Sequence, residues 1–355
     1  KMTQVTLTLD KYKQDIVDFL DNFLSEQEKE IAKISLDDNV FDTLKNFLWL
    51  GKMARGNLFL LTAKVLQHNL SHISLKKILP FAGALELIQA GLLIDDDIID
   101  QDKQRRGQDS IWQYYALQTA KYSQHYGISQ AICVADLAFF LANQLIAQTK
   151  LADQKSLEIQ RLINREISQV ILAEMLDMQL AQNEGIPPLE QIMEMNLYKT
   201  ARYTFSLPLM LAGHLADQSP AMINNLSEIG EKVGLIFQMR DDYLGIFGDN
   251  KKTGKPILSD IREGKKTIFY YYLIKSELLS PKDKQLLNSC LAVEQISQEN
   301  SLTLQKLFKN HSLPAVNQQM KKLEDETLGI IDNLNNDKLA KLLKEILNFA
   351  QYRQY

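Results

Sequence analysis

The sequence predicts an all-α protein, and three observations carry that prediction. Glycine and proline are scarce, 15 and 8 among 355 residues, whereas Leu, Ile, Gln and Lys are abundant. Apolar residues recur at helical spacing along almost the whole chain, and no convincing strand interrupts them. Helices are expected over about 10–34, 40–69, 76–101, 111–121, 129–150, 155–184, 188–213, 220–247 and 264–276, then shorter ones to the C-terminus. A single domain over residues 1–355 is expected, because no Pro-, Gly- or Ser-rich linker breaks the pattern and a helical fold with a large core absorbs this length.

The bulk properties exclude several partners. A net charge of −4 disfavours nucleic acid or an anionic membrane as the main partner, since either needs a basic face. Cys133 and Cys290 are few and far apart, fit a reducing cytoplasm, and read as buried hydrophobes. Lys1-Met2-Thr3-Gln4 opens no hydrophobic signal segment, so a cytoplasmic protein is expected. The most apolar stretch, Pro80 to Ile94, is too short to span a bilayer and carries Glu86 and Gln89, so it reads as a core helix.

Charge out of place marks the candidate site. Asp96-Asp97-Ile98-Ile99-Asp100 and Asp241-Asp242-Tyr243-Leu244-Gly245 each end an apolar helical run. Carboxylates there lose hydration and repel one another, so a cluster persists when a cation binds it, and Mg²⁺ is the usual hard cation for oxygen ligands. Asp96 and Asp100 are four apart and share one helical face, with Asp97 to the side. Mg²⁺ bound by so few carboxylates completes its shell with water and phosphate oxygens, which implies a phosphorylated substrate. A cationic loop follows each cluster: Lys103, Arg105 and Arg106 after the first, Lys251 to Lys266 after the second. Metals neutralise part of a diphosphate's charge, and Arg or Lys donate to its remaining oxygens. Gly51-Lys52-Met53-Ala54-Arg55 adds a Lys and an Arg three apart at a helix start, where anions are favoured.

In this order and spacing the motifs resemble the trans-isoprenyl diphosphate synthases, the family of farnesyl and geranylgeranyl diphosphate synthases. The likeness runs from about Gly51 to Lys266. Asp96 to Asp100 with Arg105-Arg106 is similar to the family's first aspartate-rich motif, and Phe237-Gln238-Met239-Arg240-Asp241-Asp242 to its second. Ala173 to Asp177, Tyr198-Lys199-Thr200-Ala201 and Thr253-Gly254-Lys255-Pro256 with Gly264-Lys265 resemble three further active-site segments. The chain departs from the pattern in places: Gly245 replaces the third carboxylate of the second motif, with Asp249 as a possible helper, Asp95 stands where His is frequent, and Gly56 replaces a common proline.

The resemblance implies a helical bundle around a deep central active-site cavity, an isoprenoid synthase-like fold. It implies Mg²⁺ as cofactor, held by Asp96, Asp100 and Asp241, bridging to an allylic diphosphate (dimethylallyl, geranyl or farnesyl) caged by Arg105, Lys199, Lys255 and Lys265. Isopentenyl diphosphate falls to Lys52, Arg55, Gln89 and Arg106, while Thr200, Gln238 and the Lys199 carbonyl face the allylic carbocation. The basic tail Tyr352-Arg353-Gln354-Tyr355 is placed to reach the isopentenyl diphosphate site, and a homodimer is implied. Gly91, five before the first Asp, leaves the product tunnel open, so a trans-polyprenyl diphosphate of C20 or longer is expected, with Phe139 or Phe140 as the next stop. The alternatives are a farnesyl (C15) synthase, a non-catalytic subunit of a heteromeric synthase, for which Gly245 leaves room, and a class I terpene cyclase. Asp241-Asp242 together with Lys52 and Arg55 speak against the cyclase.

Overall fold

The computed structural model describes residues 10–31, 33–34, 36, 39–66, 75–149, 151, 153–183, 185–248, 257–293 and 295–353. Among them the protein is all-α apart from one small hairpin. The chain divides into two compact units, Thr6–Gln160 and Arg161–Tyr355.

The first unit holds α1 (Lys13–Ile31), α2 (Val40–Trp49), α3 (Ala54–Leu66), α4 (Leu75–Ile99), the hairpin β1 (Gln104–Arg105) and β2 (Gln108–Asp109), α5 (Ile111–Gln118) and α6 (Gln124–Ala147). Polar caps fix several starts. The Asn39 side chain accepts the amides of Phe41 and Asp42 at 3.1 and 3.4 Å, and Ser123 accepts that of Tyr126 at 3.3 Å. The helix expected over 40–69 is two helices. Met53 takes a left-handed conformation (φ +51°) and turns the chain between them, so Lys52 precedes α3 and does not share a helical face with Arg55.

α4 is the core of this unit. Phe81, Ala82, Leu85, Leu87, Ile88, Ala90 and Ile94 bury every side of it against α1, α2, α3, α5 and α6. Each such large side chain contributes about 1.5–3 kcal/mol. By length and composition α4 and α6 could each cross a membrane. The length argument against a span therefore fails, because α4 runs 25 residues. Its burial identifies it as a core helix. α6 is apolar on two faces, and the outer one exposes Ile132 and Phe140. Cys133 is exposed on that face as well, contrary to its reading as a buried hydrophobe; Cys290 is buried.

α7 (Asp153–Gln182) begins in the first unit and continues in the second, where α8 (Leu189–Asn196) follows, then a π-helical segment (Leu197–Ser206) and α9 (Leu207–Leu215). After them come α10 (Pro220–Phe247), α11 (Ser259–Arg262), α12 (Ile268–Lys275), α13 (Pro281–Cys290), α14 (Gln298–His311), α15 (Leu313–Asp332) and α16 (Asp337–Tyr352). Ser219, Thr267, Ser280, Ser297 and Asn336 cap α10, α12, α13, α14 and α16. The expected helix 188–213 is helical throughout but changes its winding at Leu197. α10 is the central helix, packed by the π-helical segment, α9, α15 and α16. Gly230 and Gly234 make that packing possible: a Cβ on them would lie 2.5 Å from Ser206 Cα and 2.4 Å from Ala201 Cα. A ladder of rings, Phe247, Phe269 and Phe308, anchors the end of α10.

Candidate active site

The first aspartate cluster sits where α4 stops. Gln101 takes a left-handed conformation (φ +56°), its amide bonds the Ile98 carbonyl at 3.3 Å, and the Asp102 amide bonds the Asp97 carbonyl at 2.9 Å. This pair of bonds is a Schellman ending, so the aspartates lie in the last helical turn. Asp96 and Asp100 are half-buried, whereas Asp97 points inward and is buried. Desolvation pushes the Asp97 carboxyl up to about 6, against the pull of Arg105, while the charges of Asp96 and Asp102 add to the rise.

The hairpin that follows corrects the expectation of no strand, and it separates the two arginines. Arg106 (φ +54°) and Gly107 (φ +77°) form its two-residue turn, both left-handed as a type I′ turn requires. Arg105 folds back onto the aspartates, with Nε 2.6 Å from Asp97 Oδ1 and Nη2 2.7 Å from Asp96 Oδ2. Arg106 leaves the other way, its Nη1 3.4 Å from the Phe47 carbonyl and its guanidinium over the Phe47 ring. A Cβ at position 51 would lie 3.1 Å from Arg106 Nη1, so Gly51 admits this approach. Arg106 thus joins the α3 start, where Lys52 is exposed and Arg55 half-buried; Gln89 is buried on α4. Gly91 faces Phe139, whose ring atoms lie 2.7–3.0 Å from where a Cβ would be. Phe140, the other suggested tunnel stop, is 72% exposed, so the orientation of α6 rules it out.

The second cluster ends α10. Asp241 is exposed and Asp242 buried, and Gln238 Nε2 donates to Asp242 Oδ1 at 2.9 Å, which fixes the amide's orientation. Desolvation first, then the charge of Asp260, raises the Asp242 carboxyl well above the usual carboxylate range. Asp260 was missed by sequence reading. Its Oδ2 lies 3.5 Å from where a Cβ of residue 245 would stand, so α11 brings a carboxylate to the place left by Gly245. No local pattern signals this, because α11 reaches α10 through the Leu258 amide bonding the Gly245 carbonyl at 2.8 Å. The C-terminal Arg353 pairs with Asp241, lies over the Phe237 ring, and accepts Arg240 Nε on its carbonyl at 3.0 Å. The tail thus meets the second aspartate cluster; Gln354 and Tyr355 lie outside the described residues, as do Asp249 and Lys255.

Lys199 and Thr200 ride on the π-helical segment, a winding that often marks functional positions. Lys199 Nζ is 2.9 Å from Glu174 Oε1 and 2.7 Å from Asp177 Oδ2, both on α7; Thr200 is half-buried. Three residues on, Arg202 pins the segment: Nε and Nη2 each lie 2.8 Å from the buried Glu166 carboxylate, and Nη1 meets Glu231. Lys265 pairs with Glu263 at 2.9 Å, while the buried Lys266 donates to the Leu180 and Asn183 carbonyls, capping the end of α7.

These donors suit a hard cation. Among the described residues no hydrogen-bond donor reaches the buried Oδ2 of Asp97 or of Asp242. Nor do three or more His, Cys, Asp or Glu side chains there converge into a closed metal cage. Open carboxylate pairs fit an ion that takes its remaining ligands from water and phosphate.

The model of the polyprenyl synthetase family matches residues 39–309. The chain belongs to that family. The short chain isoprenyl diphosphate synthase of Methanocaldococcus jannaschii is 31% identical over 268 residues, 75% of this chain and 76% of the relative. The geranylgeranyl diphosphate synthase of Sulfolobus acidocaldarius is 28% identical, over 77% of this chain and 80% of its own. Among solved structures, geranylgeranyl pyrophosphate synthase from Corynebacterium glutamicum, complexed with isoprenyl diphosphate and magnesium, superposes with a TM-score of 0.89 at 29% identity, covering 97% of this chain and 99% of that one. The synthetase is therefore an all-α trans-prenyltransferase that elongates isoprenyl diphosphates, and its family uses a divalent metal.

Proposed function

We propose that this synthetase condenses isopentenyl diphosphate with dimethylallyl, geranyl or farnesyl diphosphate in a Mg²⁺-dependent reaction and releases a trans-polyprenyl diphosphate of C20 or longer. One observation carries the reading. Each aspartate-rich helix end places a buried carboxylate oxygen that no donor among the described residues reaches beside a more accessible carboxylate, and a guanidinium, Arg105 or Arg353, already rests on each cluster.

Mg²⁺ held by Asp96, Asp100 and Asp241 would supply Lewis-acid neutralisation of the diphosphate leaving group. Around it the chain's own residues do the rest. Arg105, Lys199, Lys255 and Lys265 donate to the allylic diphosphate oxygens as charge gathers there, the first two exchanging Asp97 and Glu174 for substrate. Lys52, Arg55, Gln89 and Arg106 hold isopentenyl diphosphate so that its double bond faces the allylic carbon. Thr200, Gln238 and the Lys199 carbonyl turn oxygen dipoles toward the carbocation, and apolar walls keep water from it. The proton lost after C–C bond formation passes to the departed pyrophosphate. No side-chain nucleophile is needed.

Asp260 completes the second cluster in this reading. Asp260→Asn is expected to raise the Mg²⁺ concentration for half-maximal turnover severalfold, measured by titration at saturating substrates; an unchanged requirement removes Asp260 from the site.

With Gly91 bare, Phe139 is the first ring the growing chain meets. Phe139→Ala is expected to lengthen the product by at least one five-carbon unit, and Gly91→Phe to shorten it, read by chromatography of the dephosphorylated products. Unchanged length in both variants would remove the tunnel from this position.

Both units are taken to serve one catalytic domain of a cytoplasmic homodimer. Exposed apolar side chains support the dimer: Ile132 and Phe140 on α6, and Ile171, Leu172, Met175 and Met178 on α7. Sedimentation analysis tests it. The deciding assay incubates the protein with Mg²⁺, isopentenyl diphosphate and each of the C5, C10 and C15 allylic diphosphates. Elongated diphosphates are expected; cyclic hydrocarbon or no turnover would overturn the reading.

A further inference from the structure

Glu86 is a carboxylate buried in the middle of the core helix α4, at 5% exposure, with a job no motif assigns to it. The explanation lies at the start of α3. The residue at the N-cap position is Met53, whose carbonyl accepts the Asn57 amide at 2.9 Å, but whose side chain offers no oxygen for the next amides. Glu86 supplies it from another helix. Its Oε1 accepts the Gly56 amide at 2.8 Å.

Burial raises the Glu86 carboxyl, and the Gly56 amide with the guanidinium groups of Arg55 and Arg106 pulls it part of the way back, so the contact rests on the acceptor oxygen more than on the charge. Gly56 is what lets the carboxylate come so close. A Cβ there would lie 2.8 Å from Ile16 Cδ1 and 3.1 Å from the Ala82 carbonyl, so a larger residue would push α3 off α4. The proline common at this position in the resembling family lacks the N–H that Gly56 donates. The contact therefore belongs to this chain's own departure from the pattern.

We propose that Glu86 is a positioning residue for the isopentenyl diphosphate subsite: by capping the first turn of α3 it fixes the backbone that aims Arg55, next to Arg106, at the diphosphate. This rests on the assignment of Arg55 and Arg106 to that subsite. Glu86 touches no substrate atom and acts only through α3.

Two conservative variants separate reach from charge. Glu86→Asp keeps the charge but withdraws the carboxylate by one methylene, out of reach of the Gly56 amide. Glu86→Gln keeps the reach and an acceptor oxygen but drops the charge. Glu86→Asp is expected to raise KM for isopentenyl diphosphate about tenfold, the cost of a buried amide left without its partner. Its kcat and its KM for the allylic diphosphate should stay within threefold, and hydrogen exchange of the Gly56 amide should accelerate at least tenfold. Glu86→Gln should stay within threefold on every measure. An isopentenyl diphosphate KM in Glu86→Asp within threefold of the parent would overturn the proposal. So would a larger effect in Glu86→Gln, or equal rises in both KM values. Arg55→Ala tests the underlying subsite separately: if it leaves that KM unchanged the subsite assignment falls, and if it raises it while Glu86→Asp does not, only the role of Glu86 falls.

Discussion

Asp96→Asn is expected to lower kcat by at least about a hundredfold at saturating Mg²⁺ and substrates, the loss typical when one electrostatic contact to a developing anion is removed. The amide keeps the carboxylate's shape and its place in the last turn of α4, so the fold should be unaffected and circular dichroism unchanged. What disappears is one negative oxygen pair beside Asp100, and with it a proposed ligand for the ion. Arg105 would stay docked, because Asp97 holds it through Nε at 2.6 Å. The loss would therefore appear in kcat and in the Mg²⁺ titration, with thermal stability retained. Turnover within severalfold of the parent would mean that the first cluster does not hold the metal. Asp241 is the complementary case: it is exposed and already paired with Arg353, so Asp241→Asn would remove a proposed ligand and weaken the hold on Arg353 together.

Arg202→Met is expected to destabilise the protein by about 3–5 kcal/mol, the loss characteristic of stripping one partner from a buried ion pair. The Glu166 side chain is fully inaccessible, and both its oxygens accept from Arg202 at 2.8 Å. Without the guanidinium that carboxylate remains buried with Arg165 Nη2 at 3.0 Å as its nearest cation, and Arg165 is largely exposed. A melting temperature lower by on the order of 5–10 °C should report the loss. Replacing both partners by Met removes the stranded charge and should recover much of the stability. Activity should not recover with it, because Arg202 fixes the π-helical winding that presents Lys199 and Thr200. A double variant as active as the parent would show that the winding holds without the ion pair.

The helical content was legible because apolar spacing and capping residues are local signals. Apolar periodicity placed α10 at about 220–247, and Asp96 to Asp100 announces the end of α4 through charge on an apolar run. A helix start at Gly51 to Arg55 was legible, but that Lys52 stays outside α3 was not, since this depends on Met53 accepting a left-handed backbone that its side chain disfavours. The hairpin after α4 was hidden for the same reason: Arg106-Gly107 is an unusual pair for a type I′ turn, and only its surroundings hold Arg106 there. Among the site residues, Asp96, Asp100 and Asp241 carried their own signal in type and spacing, and Lys199 entered only through the resemblance of its segment to the family's. Asp260 and Glu86 carried none, as each acts on a residue 15 or 30 positions away through the packing of one helix on another.

The all-α class, the two aspartate-rich helix ends and the cations that accompany them could be read from the chain, because each depends on residues within a few turns of one another. The tertiary structure alone decided which aspartate in each cluster is buried, that Asp260 stands at the place left by Gly245, that Phe139 rather than Phe140 meets Gly91, and that Arg353 reaches Asp241. The physical reason is the same throughout. A carboxylate's hydration and the charges around it depend on which helices pack against its own, and sequence spacing along one helix carries no record of the neighbour's face.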